Sequence, residues 1–256
     1  MRTIAVIPAR FESKRLPGKP LADIHGKTLI EHVYRRAARA TRVTRVVVAT
    51  DDERILDAVT GFGGEAVMTS VEHPSGSDRI AEAVADIDVD LVVNVQGDEP
   101  LIAPQAIDEA VRLAEETPGA IVTLKSAISD RRTLFDRNAV KVVTDVHGFA
   151  LYFSRSAIPA GPAVRVDRDG DGEDELPKNL YYKHIGLYVY PKAALMELTR
   201  IAPSPLEIAE RLEQLRALEN GIRIRVAETV HDSLGVDTQE DLEAVRALVA
   251  GRVTVQ

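Results

Sequence analysis

The feature that most limits what this chain can fold into is a repeated switch between two hydrophobic periods. Short apolar runs of strand length alternate with segments whose apolar residues recur at helical spacing. "TIAVIP" (3–8) is followed by "TLIEHVYRRAARA" (28–40), in which Leu29, Ile30, Val33, Tyr34, Ala37 and Ala38 share one helical face. "RVVVAT" (45–50), "DDERILDAVTGFG" (51–63), "EAVM" (65–68), "SDRIAEAVADI" (77–87) and "DLVVNV" (90–95) continue the alternation. These runs are apolar at consecutive positions, so both of their faces need cover. That pattern predicts an α/β fold: a mostly parallel sheet with helices on both faces.

Local signals support the element ends. Thr28 and Glu31 form a capping box before the first helix, and Gly61 or Gly63 stops the second. A helix over about 104–117 and the strand "AIVTLKSAI" (120–128) follow. After residue 130 the texture changes to "AVKVVTD" (139–145), "FALYFSRS" (149–156) and "YYKHIGLYVYP" (181–191), which predict strands spaced by loops. The region from about 130 to 200 therefore reads as an inserted β-rich lobe within a single domain, a candidate for dimerisation. One helix over "SPLEIAERLEQLRALENG" (204–221), the strand "IRIRVAE" (222–228) and a helix over "TQEDLEAVRALVA" (238–250) complete the expectation.

Composition narrows the function. A chain of 256 residues with 45% hydrophobic content suffices for the core of one large domain. The formal net charge of −8 argues against a nucleic-acid partner. Without cysteine there is neither a disulfide framework nor thiolate chemistry. No apolar run approaches a membrane span, and the first residues lack the apolar length of a signal peptide, so a soluble cytoplasmic protein is expected.

Against that acidic background, "VIPARFESKRLPGKP" (6–20) is unusual. Arg10, Lys14, Arg15 and Lys19 crowd the end of the first strand, while Pro17, Gly18 and Pro20 keep the segment irregular. In open α/β sheets ligands bind beyond the carboxyl ends of the strands. A charge run is usually solvated surface, but this position favours a phosphate site, with Arg10 and Lys19 supplying charge-assisted bonds. Neither G-x-x-x-x-G-K-[ST] nor G-x-G-x-x-G is present, so neither a P-loop nor a dinucleotide fold is indicated.

The carboxylates sort by position. Asp98 follows "LVVNVQG" directly and belongs to the same sheet edge as the cationic loop; Asp237 precedes the last helix. "DIDVD" (86–90) has the D-x-D spacing of many glycosyltransferases but precedes its strand, which puts it on the opposite edge. "DRDGDGEDE" (167–175) starts like a calcium loop, with Asp167, Asp169, Asp171 and Gly172 in place, yet its twelfth position is Lys178 rather than glutamate. It reads as a solvated acidic loop.

Taken in order, "IPARFESKRLPGKPL", "SGSDRIAEA", "VNVQGDEPLI", "NAVKVV", "YFSRSAIP", "KHIGLYVY", "SPLEIAERLEQLR" and "GVDTQEDLE" resemble the acid-sugar cytidylyltransferase family, enzymes that use CTP and acidic sugars. The last two motifs resemble its 3-deoxy-manno-octulosonate (KDO) branch. The resemblance covers nearly the whole chain apart from about 162–177. It implies a Rossmann-like nucleotide-diphospho-sugar transferase fold and the reaction of CTP with KDO to CMP-KDO and pyrophosphate, feeding lipopolysaccharide synthesis. It also implies a homodimer and Mg²⁺ held by Asp98 and Asp237. Ala9, Arg10, Arg15, Lys19, Ser75, Gly76, Arg79, Gln96, Gly97 and Asp98 would face the nucleotide, with Arg10, Lys19 and Asp98 closest to the chemistry. Gln96, Arg155, His184, Tyr188, Glu207 and Gln214 would face the sugar. Arg79 is also readable as a helix-surface charge and His184 as a structural histidine. Glu207 doubles as a helix cap, because Ser204, Pro205 and Glu207 form a capping box with proline at the first helical position. The residues alone reveal no general base. Two alternatives stand beside this reading: the same chemistry on amino-KDO or a sialic acid, and a nucleotide sensor without catalysis.

Overall fold

The computed structural model of the chain describes residues 1–13, 15–161 and 176–253. Lys14 and the acidic stretch 167–175 lie outside them. The first half follows the predicted alternation: β1 (Thr3–Ala9), a 3-10 turn (Lys19–Leu21), the short pair β2 (Asp23–Ile24) and β3 (Lys27–Thr28), α1 (Leu29–Ala37), β4 (Arg45–Thr50), α2 (Glu53–Gly61), β5 (Ala66–Met68), α3 (Gly76–Val84), β6 (Leu91–Asn94), α4 (Pro104–Glu116) and β7 (Ile121–Ala127). The second half adds α5 (Arg131–Phe135), β8 (Lys141–Thr144), β9 (Ala150–Ser154), β10 (Tyr182–Pro191), α6 (Lys192–Leu198), α7 (Pro205–Glu210), α8 (Gln214–Glu219), β11 (Ile224–Glu228) and α9 (Gln239–Val253). The capping box expected at Thr28 forms by half, since the Glu31 side chain pairs with Arg35 instead of the Thr28 amide. Thr28 Oγ1 accepts from the Glu31 amide at 3.3 Å at the start of α1. Thr238 and Asp241 bond each other's amides at the start of α9.

Among the described residues, nine strands form one sheet with the path β11-β7-β10-β6-β1-β4-β5 and β8 and β9 attached to β10. β1 pairs in parallel with β4 and β6, β4 with β5, and β11 with β7. β10 runs antiparallel to β6 and β7 in the middle of this sheet. Helices cover both faces, as the doubly apolar strands demand. Along β1, Ala5, Ile7 and Ala9 enter one core with α1, α2 and α4, whereas Ile4 and Val6 enter the other with α3, α6 and α8. This is the period-two alternation of a strand buried on both sides.

Several elements depart from expectation: α5 and α6 are helices that the sequence pattern does not predict, and a 3-10 turn forms at Lys19–Leu21 inside the segment read as irregular. The single helix expected over 204–221 is two helices, α7 and α8. Arg211 adopts the left-handed conformation at φ +55° and ends α7. The break lets Leu212 drop into the core while Leu206 and Ile208 stay on the surface. A continuous helix would place Ile208 on the same face as Leu212 and Leu215; the break separates the exposed Ile208 from the two buried leucines.

Candidate active site

The parallel pairing of β1 and β6 brings their carboxyl ends together. Val6 is in register with Asn94, and the Val95 amide donates to the Val6 carbonyl at 3.1 Å. The chains then approach so closely that a Cβ on Gly97 would lie 2.6 Å from the Pro8 carbonyl oxygen. Only glycine fits there. Asp98 follows, and its carbonyl accepts from the Val236 amide at 2.8 Å. That bond carries Asp237 to the same edge from the far end of the chain.

The cationic loop folds back over these carboxylates. Gly18 sits at φ +69° and opens the 3-10 turn, with Pro20 in its first positions, where a missing N–H costs nothing. Lys19 is thereby aimed inward: Nζ donates to Asp98 Oδ2 at 2.8 Å and to Asp237 Oδ1 at 3.2 Å. Arg15 holds the other oxygen, Asp237 Oδ2, at 2.9 Å. Arg10 reaches sideways to the carbonyls of His73 and Ser75, tying the loop to the start of α3. Ala9, Arg10, Lys19, Gln96, Gly97 and Asp98 line a cavity of about 230 Å³.

Gln96 also lines a larger neighbouring cavity of about 400 Å³, together with Arg155, His184, Tyr188, Gln214 and Asp237. The two cavities share Gln96 in their walls; Asp98 lines the smaller one and Asp237 the larger. In the larger one, His184 and Tyr188 project from the same face of β10, with His184 between the rings of Phe153 and Tyr188. Burial pushes the His184 imidazole down to about 3, so it is neutral, and its Nε2 pairs with Thr123 Oγ1 at 2.9 Å. Arg155 is held by the Glu210 carbonyl at 2.9 Å and the Arg137 carbonyl at 3.1 Å, leaving it half-buried at the cavity wall.

Other expected residues lie elsewhere. Ser75 caps α3, and Gly76 lies against the Pro8 ring, both beside the smaller cavity but not lining it. Arg79 does not ride the helix surface. Its side chain is fully buried and pairs with Asp51 and Thr69, fastening α3 to the end of β4. Glu207 faces away from both cavities. It accepts from Arg216 at 2.5 and 2.7 Å and from the Ser204 amide at 3.0 Å, linking α7 to α8. Burial tends to raise its pKa, but the Arg216 guanidinium outweighs this and holds it below the ordinary glutamate value. The D-x-D aspartates lie at the opposite edge, where Asp88 and Asp90 pair with Arg2.

Two carboxylates escaped the sequence reading. Glu213 lines the larger cavity and accepts from Ser75 Oγ at 2.9 Å and Ser77 Oγ at 3.0 Å, joining the start of α3 to the start of α8. Burial raises its pKa. Its only sequence signal was adjacency to Gln214. Glu99, beside Asp98, is pushed up to about 7 by burial and by the Asp98 charge.

Cations at the first strand end, facing carboxylates from two other connections and a polar cavity next door, suit transfer of a nucleotidyl group between two polyhydroxylated anions. Fold and site together define an α/β nucleotidyltransferase. More narrowly, the chain belongs to the cytidylyltransferase family, whose model matches residues 4–224. It is 55% identical over 249 residues to a 3-deoxy-manno-octulosonate cytidylyltransferase of Geobacter sulfurreducens, covering 96% of this chain and 98% of that one. Identity to the enzyme of the same description from Syntrophotalea carbinolica is 53%, over 98% and 100% of the two chains. The structure of a CMP:2-keto-3-deoxy-manno-octonic acid synthetase complexed with CTP superposes with a TM-score of 0.87 at 42% identity, covering 98% of this chain and all of that one.

Proposed function

We propose that this chain transfers CMP from CTP to the anomeric hydroxyl of KDO, giving CMP-KDO and pyrophosphate. The observation that carries the reading is that the two cavities share Gln96, with Asp98 on the smaller and Asp237 on the larger joined by Lys19. A triphosphate beside Arg10 and Lys19 and an acid sugar beside Arg155 then present the α-phosphorus and the attacking hydroxyl to one another. Full-length identity above 50% to KDO cytidylyltransferases supports the choice of substrates.

The residues divide the work. Arg10 and Lys19 neutralise phosphate oxygens. Arg155 pairs with the sugar carboxylate, while neutral His184, Tyr188 and Gln214 offer hydrogen bonds to its hydroxyls. Holding both reactants on rigid strand ends makes the attack effectively intramolecular. The donor set at Asp98 and Asp237 fits Mg²⁺: two hard carboxylates that already share one cation, Lys19, with room for phosphate oxygens. Mg²⁺, when bound there, supplies charge neutralisation of the triphosphate and lowers the pKa of a coordinated hydroxyl. The same reading extends to a cytoplasmic homodimer serving lipopolysaccharide synthesis. Support for the dimer is the exposed apolar Leu151 on the edge strand β9, with Ile208 exposed on α7.

The test is pyrophosphate release measured over four nucleoside triphosphates and a panel of acid sugars, with and without Mg²⁺. Turnover confined to CTP, KDO and Mg²⁺ is expected. Turnover with a sialic acid alone would sink the KDO assignment, and no turnover with any pair would favour a nucleotide sensor. Sedimentation velocity tests the dimer.

A further inference from the structure

Lys141 lies in β8 with its side chain fully buried. Its ammonium donates to the carbonyls of Asp136 at 2.7 Å, Arg155 at 2.8 Å and Ala139, and among the described residues it has no carboxylate partner within bonding distance. An ammonium has three N–H donors, and all three are used. Burying a charge without a counter-ion is costly. Burial accordingly pushes the Lys141 pKa down, with the Asp136 charge opposing. An apolar side chain of the same length would fill this space without that cost. What lysine adds is a grip on three backbone carbonyls.

Those carbonyls belong to two segments that build one wall of the larger cavity. Residues 136–139 lead into Val140, whose carbonyl accepts from the His184 amide at 2.8 Å. Arg155 ends β9. Val140, Arg155 and His184 all line the cavity, and β8 lies between the strands that carry the other two. None of the three gripped carbonyls touches the nucleotide cavity.

We propose that Lys141 is a positioning residue for the acid-sugar pocket. Its ammonium fixes the 136–140 segment against the end of β9, so that Arg155 meets the sugar carboxylate without reorganising. This inference rests on the function proposed above. Preorganisation of a wall that only the sugar touches should be visible as a split between the two substrates.

Lys141→Met keeps the apolar stem and removes all three donors. With folding checked by thermal melting, the KM for KDO should rise tenfold or more. The Kd for CTP, measured by titration calorimetry, should stay within twofold of the parent. Lys141→Gln retains two N–H donors and should show a smaller rise. A folded Lys141→Met with a KM for KDO within threefold of the parent overturns the proposal. So does a parallel loss of CTP affinity, which would mark a general role in the fold. If neither variant accumulates as folded protein, Lys141 belongs to folding alone and the proposal again fails. A parent that turns over no acid sugar would sink the functional reading itself; a working parent with an unaffected variant would sink only this inference.

Discussion

Asp98 and Asp237 share the Lys19 ammonium, and neither is buried deeply enough to be a fold residue: their side chains are 34% and 49% exposed. Under the proposed function their value lies in the charge they present to Mg²⁺. Asp98→Asn keeps the size and the backbone bond to Val236 but removes the charge. Charge stabilisation of this kind is worth several kcal/mol, so turnover should fall by about two to four orders of magnitude. Asp237→Asn acts on the same cluster, and the double variant should lose less than the sum of the two, as for groups that work as a unit. Turnover of the four proteins at two Mg²⁺ concentrations, with melting temperature as the folding control, decides the matter. A folded Asp98→Asn that keeps more than about a tenth of parental turnover, a loss under ~1.4 kcal/mol, would rule out the metal assignment.

At the scale of elements, the broken helix is the informative case. α7 and α8 are joined by the Glu207–Arg216 pair, with side chains only 13% and 6% exposed. Glu207 is therefore a clamp between helices, and its capping role at Ser204 is part of the same clamp. Glu207→Gln removes the charge from a largely buried, hydrogen-bonded pair. It should cost on the order of 1–3 kcal/mol of stability, roughly 2–12 °C in melting temperature for a chain of this size. The KM for the sugar should change little. The parent's advantage should also depend on pH. A carboxylate held below its ordinary pKa contributes stability that is fully present above about 4.3, the unfolded value, and is lost as pH falls through the lower folded value. Urea melts of parent and variant at pH 7 and pH 3 should converge at the acid end. A variant as stable as the parent at pH 7, with a raised sugar KM, would return Glu207 to the pocket.

For the whole molecule, the site joins parts of the chain that lie far apart in sequence, namely the loop after β1, the end of β6 and the start of α9. A ligand that bridges them should stabilise the native state globally. At one hundred times its Kd, CTP with Mg²⁺ adds about 2.7 kcal/mol, a rise of roughly 5–10 °C in melting temperature. GTP should give much less. A chelator should shrink the CTP effect, because the two aspartates would then repel the triphosphate. An equal shift with all four nucleotides would contradict a CTP-selective pocket.

What the sequence determined by itself was local. Period-two and helical runs specified strands and helices, because each period dictates which face must leave water. Doubly apolar strands specified a sheet covered on both sides, and the cationic segment after β1 with Asp98 after β6 specified the functional edge. The tertiary structure decided what depends on partners far along the chain. Lys19 and Asp237 are 218 positions apart, and Ser75 and Glu213 are 138 apart. No local period encodes such meetings, since packing of whole elements creates them. For the same reason Arg79 proved to be an interior residue paired with Asp51, and Glu207 a clamp on Arg216. A charged side chain on a helix is read locally as solvent-facing, and it is partners delivered by other elements, here the Asp51 and Arg216 counter-charges, that make its burial stable.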